Sequence, residues 1–195
     1  MQPVIGNPVL VVVDVQGVST GKRDSGISTM GGASQRLPRY VSLVDTARAH
    51  GVPVVFIQEV HKPSMVDIGR ELDGSEGPHC VEGLPGTEIA ADLNPQPEEF
   101  VVRKRRYSAF FGTELEIVLK AYKASTLFLI GGLTDVCIHY TAVDAHQHDY
   151  RIRVLTDAVG GSSKAAHDAS LAAIEYLQRD ALVTSDEVLE YFASL

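Results

Sequence analysis

Short aliphatic runs alternate with amphipathic stretches along most of this chain. Residues 9–13 read VLVVV and stop at Asp14, the pattern of a strand buried on both faces of a parallel sheet. Residues 52–57 repeat it, after a helix-like stretch over 36–50 that Gly51 is placed to terminate. Shorter runs at 100–102, 126–130, 152–155 and 182–184 predict four more strands. Residues 113–122, 135–148, 163–178 and 186–192 carry apolar positions three and four apart, which predicts helices between them.

Regular alternation of strand and helix predicts a doubly wound, three-layer α/β/α domain of Rossmann-like type, with six mostly parallel strands and an active site at their carboxyl ends. The exception is 59–97, rich in glycine, proline and charge and without a clear period. A connection of that length is usually functional or part of an interface. With 195 residues, no internal repeat and no linker-like tract, residues 1–195 read as one domain.

Composition narrows the function. Seventeen basic against twenty-five acidic residues give a net charge of −8, which repels a phosphate backbone, so no nucleic-acid partner is expected. The one basic cluster, Arg103 to Arg106, is too local to follow a duplex. No apolar run is long enough to span a bilayer and no export signal stands at the start, so a cytoplasmic protein without a membrane partner is expected. Its two cysteines, Cys80 and Cys137, then read as free thiols.

Three polar residues fall where the pattern places strand ends on one rim. Asp14 follows the first strand, Lys104 follows the third, and Cys137 opens the helix after the fourth, within GGLTDVC. The helix terminus and the lysine both act to lower the thiol pKa. Asp14 could take the thiol proton and return it to a leaving amine, while backbone N–H groups from Thr134 to Cys137 hold an oxyanion. Singly, each has an ordinary reading: Cys137 as a small buried hydrophobe, Asp14 as a helix cap, Lys104 as a solvated charge. Their coincidence at strand ends is the clue.

The segments VVVDVQ, VVRKRRYSAFFGTELE and GGLTDVCIHYTAVDA resemble, in order, three blocks of the isochorismatase-like cysteine hydrolases. The resemblance implies a six-stranded sheet flanked by helices and a catalytic triad at Asp14, Lys104 and Cys137. It also implies a non-proline cis peptide matching Leu133 and Thr134, which aims the Thr134 and Cys137 N–H groups at the oxyanion. Family members that keep the cysteine are amidases working through a thioester, so the expected substrate is a small amide, carbamoyl or ureide compound. Alternatives are a vinyl-ether hydrolase of isochorismatase type and a catalytically idle interaction protein on the same fold. Relatives commonly form dimers or tetramers, and the long loop offers a contact surface, so a homo-oligomer is expected.

QEVH at 58–61 and GPHC at 77–80 resemble the segment in which nicotinamidases bind a divalent ion. The matching residues are Glu59, His61 and His79, with Glu in place of Asp. Zinc or iron suits such a set; the competing reading is a loop start held by hydrogen bonds, and no cofactor is required for the thiol chemistry.

Gln16, two residues past Asp14, points the same way if the strand continues and either orients substrate or pins the triad. Tyr107 and Phe110 are pocket walls for a planar substrate or core aromatics that anchor the lysine. After Gln16 the family often reads Asn, Asp, Phe; here Gly17, Val18, Ser19 stand instead. His139, two positions past Cys137 and about 200° around a helix, should point away from it. His50, His148 and His167 read as surface or cap residues, and GGLTDV lacks the lysine and spaced glycines of a nucleotide loop.

Overall fold

The computed structural model describes residues 3–17 and 27–195. Val18 and Ser19, where the family pattern breaks, lie outside the described residues. Six strands form one sheet: β1 (Asn7–Val13), β2 (Val54–Glu59), β3 (Phe100–Lys104), β4 (Ala124–Gly132), β5 (Arg151–Gly160) and β6 (Leu182–Val183). Their order is β3-β2-β1-β4-β5-β6, and every pairing is parallel. Among the described residues five α-helices cover it: α1 (Ala33–Ala49), α2 (Leu115–Ala121), α3 (His139–Gln147), α4 (Lys164–Leu177) and α5 (Ser185–Ala193).

Alternate side chains of β1 divide between two cores, as the two-residue period of a strand requires. Val9, Val11 and Val13 pack with Leu119 of α2, Ala142 of α3 and Ile174 of α4. Leu10 and Val12 face the other way, with Leu43 and Val44 of α1 and Phe192 of α5. All five are within 1% of complete burial, and each contributes on the order of 1.5–3 kcal/mol relative to exposure. This two-sided burial is why residues 9–13 are aliphatic without interruption. Gly51 ends α1 at a φ of 68°, with its N–H on the Arg48 carbonyl.

Two elements depart from the sequence pattern. The expected helix over 135–148 begins instead with a π-helical turn at Thr134–Ile138, and α3 follows from His139. The aperiodic stretch after β2 is tied down by isolated bridges, His61 with Val81 and Gln16 with Ile89, and by two single 3-10 turns, Glu71–Asp73 and Ala91–Leu93. Both bridges draw that stretch to the carboxyl edge of the sheet.

The strand order reverses direction between β1 and β4, and a crevice opens there at the carboxyl ends. Gly131 sits at this point with a φ of 116°, and a β-carbon on it would lie 1.9 Å from the Val13 carbonyl oxygen. Only glycine allows the two strand ends to approach this closely. Gly131→Ala should therefore destabilise the fold by about 3 kcal/mol or more, read as a lowered denaturant midpoint in urea unfolding.

Candidate active site

The sheet order sets the site's residues side by side. Lys104 ends β3, Glu59 ends β2, and the two are register partners, so their side chains leave the same face. Asp14 follows β1 on the next strand over, at a φ of 50°, with its N–H on the Ile57 carbonyl. Cys137 reaches the same place from the π-helical turn after β4.

The Lys104 ammonium is completely buried. It lies 3.0 Å from Asp14 Oδ2 and 3.4 Å from Cys137 Sγ, and it donates a short hydrogen bond to Glu59 Oε2. Cys137 Sγ is itself 3.6 Å from Glu59 Oε2. Acceptor atoms of Asp14, Glu59 and Cys137 all fall within 4.8 Å of one another. The three residues expected to act together are thus in mutual reach, and the reading of Lys104 as a solvated charge is overturned.

Glu59 is the member that sequence reasoning placed elsewhere, as a metal ligand or as a loop start held by hydrogen bonds. Its position at the end of β2, matching Asp14 and Lys104 at their strand ends, was the available signal. Its backbone N–H is held by Asp14 Oδ1 and Gln16 Oε1, both at 3.0 Å, while Gln16 Nε2 donates to the Glu59 and Thr87 carbonyls at 2.9 and 2.6 Å. Gln16 therefore fixes the Glu59 backbone.

Burial and charge oppose each other here. Burial raises the Asp14 pKa to about 6, against the pull of the Lys104 ammonium. Burial also acts to raise Glu59, but Lys104 and the two histidines outweigh it and hold this carboxyl well below its usual range. The Cys137 thiol is pushed up by burial, assisted by Asp14 and Glu59, despite Lys104. This corrects the expectation of a thiol acidified by a helix terminus: with two carboxylates beside a dry sulfur, desolvation and repulsion win. The resting pair is a thiol and a carboxylate.

The cis peptide also differs from expectation. It joins Gly132 and Leu133, one bond before the Leu133–Thr134 bond implied by family resemblance. The turn that follows is fixed from α4: His167 Nδ1 lies 2.8 Å from Thr134 Oγ1, and Ser170 Oγ donates to the Thr134 carbonyl at 2.9 Å. His167 is buried, not a surface or cap residue; a contact 33 residues away in sequence leaves no local signature. His139 Nδ1 lies 2.9 Å from Ser170 Oγ.

A cavity of about 130 Å³ opens onto this cluster. Asp14, Gln16, Glu59, His79, Tyr107, Leu133 and Cys137 all reach it. Tyr107 donates its hydroxyl to Glu76 Oε2 at 3.1 Å. Phe110 is not among the residues lining the cavity; it packs on His148 and Tyr150 at ring distances of 5.1 and 6.1 Å, the core alternative.

Behind the cavity, Glu59, His61, Glu71 and His79 form a buried cluster with donor atoms within 4.8 Å. Both imidazole Nε2 atoms face the same two carboxylates. His61 is 3.3 Å from Glu59 Oε1 and 3.6 Å from Glu71 Oε2, and His79 is 2.8 and 3.4 Å from them. Burial alone would depress His79, but Glu59 and Glu71 raise it to about 10. Glu71, from a stretch without periodicity, was not anticipated.

Comparison with known proteins places this architecture. Residues 8–187 match the isochorismatase domain family. The chain belongs to that family. Within it, a ureidoacrylate amidohydrolase from Methylobacterium radiotolerans is 31% identical over 188 residues, spanning 85% of this chain and 72% of that protein. N-carbamoylsarcosine amidase from Thermoplasma acidophilum superposes with a TM-score of 0.77 at 29% identity, covering 93% of this chain and 98% of its own. The pyrazinamidase of Pyrococcus horikoshii, solved in complex with zinc, shares the fold with a TM-score of 0.78 at 22% identity, over 92% of this isochorismatase-family chain and 99% of its own. Among the described residues no helix is long and apolar enough to cross a membrane.

Among the described residues no cationic side chain but Lys104 forms an ion pair with Asp14. Lys104→Met should cost about 3–5 kcal/mol of unfolding free energy, because it strands buried carboxylates. Urea denaturation at pH 7 checks this, with Arg103→Met, on the exposed neighbouring position, changing stability by about 0.5 kcal/mol or less.

Proposed function

We propose that this protein hydrolyses a small amide, carbamoyl or ureide C–N bond through a thioester on Cys137. The observation that carries the reading is one sulfur within 3.4 Å of a buried ammonium and within reach of a carboxylate near pKa 6, with sulfur and carboxylate both lining one small cavity. The names of the amidohydrolase relatives point the same way.

The chemistry follows from the proton inventory. Cys137 Sγ attacks the carbonyl carbon while its proton passes to Asp14, whose raised pKa suits both accepting and returning it. Lys104 compensates the negative charge that remains between sulfur and carboxylate. The oxyanion of the tetrahedral intermediate is received by the N–H groups of Thr134 and Cys137, on the turn held by His167 and Ser170. Asp14 then protonates the nitrogen, the C–N bond breaks and the amine or ammonia leaves. Water attacks the thioester with Asp14 again taking a proton, and the carboxylic product departs as the thiol re-forms. A vinyl-ether hydrolase would need no sulfur so placed, and an idle protein no such proton balance.

The donor set of Glu59, His61, Glu71 and His79 fits a divalent ion such as zinc or iron. Two imidazoles and two carboxylates converge, and among the described residues both Glu71 oxygens lack a hydrogen-bond donor. When bound, such an ion would supply Lewis acidity at the inner end of the cavity, beside His79.

Two outcomes are expected. Cys137→Ala should lower ammonia release from the protein's best amide substrate by about 1,000-fold or more, in an assay of a panel of small amides and ureides; undiminished release would refute the thioester. After equilibration with zinc and removal of excess, wild-type protein should hold about one ion per chain, and Glu71→Ala should bind it about 10- to 100-fold more weakly, by elemental analysis across a zinc titration.

A further inference from the structure

The cavity has a second polar end that the proton chemistry does not use. Arg36, in the first turns of α1, lines it together with Gly160 and Gly161 of the neighbouring strand end. Its Nη2 donates to the Gly31 carbonyl at 2.8 Å, whereas Nε is buried and has no hydrogen-bond partner among the described residues. No carboxylate among the described residues forms an ion pair with it. Asp135, beyond Gly161, is already occupied by the Ser162 N–H at 2.8 Å and the Ser162 hydroxyl at 2.5 Å.

The backbone makes room for this guanidinium. A β-carbon at Gly160 would fall 2.2 Å from Arg36 Nη2 and 2.5 Å from its central carbon. Gly160 is the register partner of Gly132, which leads into the turn carrying Cys137. The arginine and the sulfur therefore face one small volume from two sides of the same pair of strand ends. Nearby, α1 begins at an N-cap glycine without a side-chain cap and with no acidic residue in its first turn; on its own that helix end would define nothing, but it adds no negative charge to compete.

A buried N–H without a partner is costly unless a ligand satisfies it. The guanidinium edge matches a carboxylate in two parallel hydrogen bonds. Of the other charged groups lining the cavity, Glu59 and Glu76 repel anions and His79 is already paired with Glu59 and Glu71; the charged end of a substrate therefore goes to Arg36 and the uncharged amide to Cys137.

We propose that Arg36 is a specificity-determining residue that anchors a carboxylate on the substrate, so that the protein acts on short amides or ureides bearing a free carboxylate at the end opposite the scissile bond. This rests on the amide-hydrolase reading and narrows its substrate class. Hydrolysis of such a compound yields a dicarboxylate or an amino acid, with ammonia or carbamate as the other product.

Two arms test it. In the first, maleamate and its methyl ester are compared as substrates. Wild-type protein should prefer the acid, and Arg36→Gln should reduce that preference by about 10- to 100-fold through KM, with Arg36→Lys intermediate; an unchanged preference overturns the proposal. In the second, maleate binding to the Cys137→Ala protein is measured by calorimetry, with and without Arg36→Gln. Loss of binding in the double variant supports the anchor; equal binding, or none to Cys137→Ala alone, overturns it. Because the second arm needs no turnover, it reads the anchor whether or not the thioester mechanism holds; failure of that mechanism would appear separately, as maleamate hydrolysis by the Cys137→Ala protein.

Discussion

A single ammonium ion in a dry place organises this molecule's carboxyl edge. Lys104 is wholly buried, and the charge it carries is tolerable only because Glu59 meets it from the neighbouring strand and Asp14 from the strand beyond. Those carboxylates depend on it equally, since a buried anion without a partner costs several kcal/mol. Three strand ends are thereby locked to one another, and the fourth delivers the sulfur to the same ammonium at 3.4 Å. Parallel strands make this possible: all their carboxyl ends lie on one rim.

The same charge balance ties two regions together. Glu59 gives one oxygen to Lys104 and the other to His79 and His61. The proton-handling cluster and the histidine cluster therefore share a side chain, and Gln16 fixes its backbone from both sides. A glutamate here is one methylene longer than an aspartate, which lets it reach the lysine from the end of β2. The thiol responds to the sum of these fields and stays protonated at rest; in the proposed mechanism, activation accompanies attack instead of preceding it.

Much of this was legible in the chain. The aliphatic run at 9–13 identified a doubly covered strand because both faces of β1 meet apolar partners, and Asp14, Lys104 and Cys137 announced themselves by standing at the ends of such runs. What escaped was set by distance in sequence. The Glu59 to Lys104 contact depends on the register of β2 against β3, and His167 meets Thr134 only because α4 packs across the turn. Glu71 comes from a stretch whose shape is fixed by isolated bridges, which no periodicity encodes. The thiol's pKa direction was misjudged because the macrodipole is local and readable, whereas burial is a property of the finished fold. Arg36 sat within a helical pattern, and nothing local distinguished it from a solvated face.

The central claim is that bond cleavage passes through sulfur. Its most direct measurement is rapid acid quench during turnover of the fastest substrate, followed by intact-protein mass and peptide mapping. A transient acyl adduct on the Cys137 peptide, forming and decaying at rates that account for turnover, is the predicted result. Turnover with Cys137 unmodified throughout, or an adduct on any other residue, would contradict it.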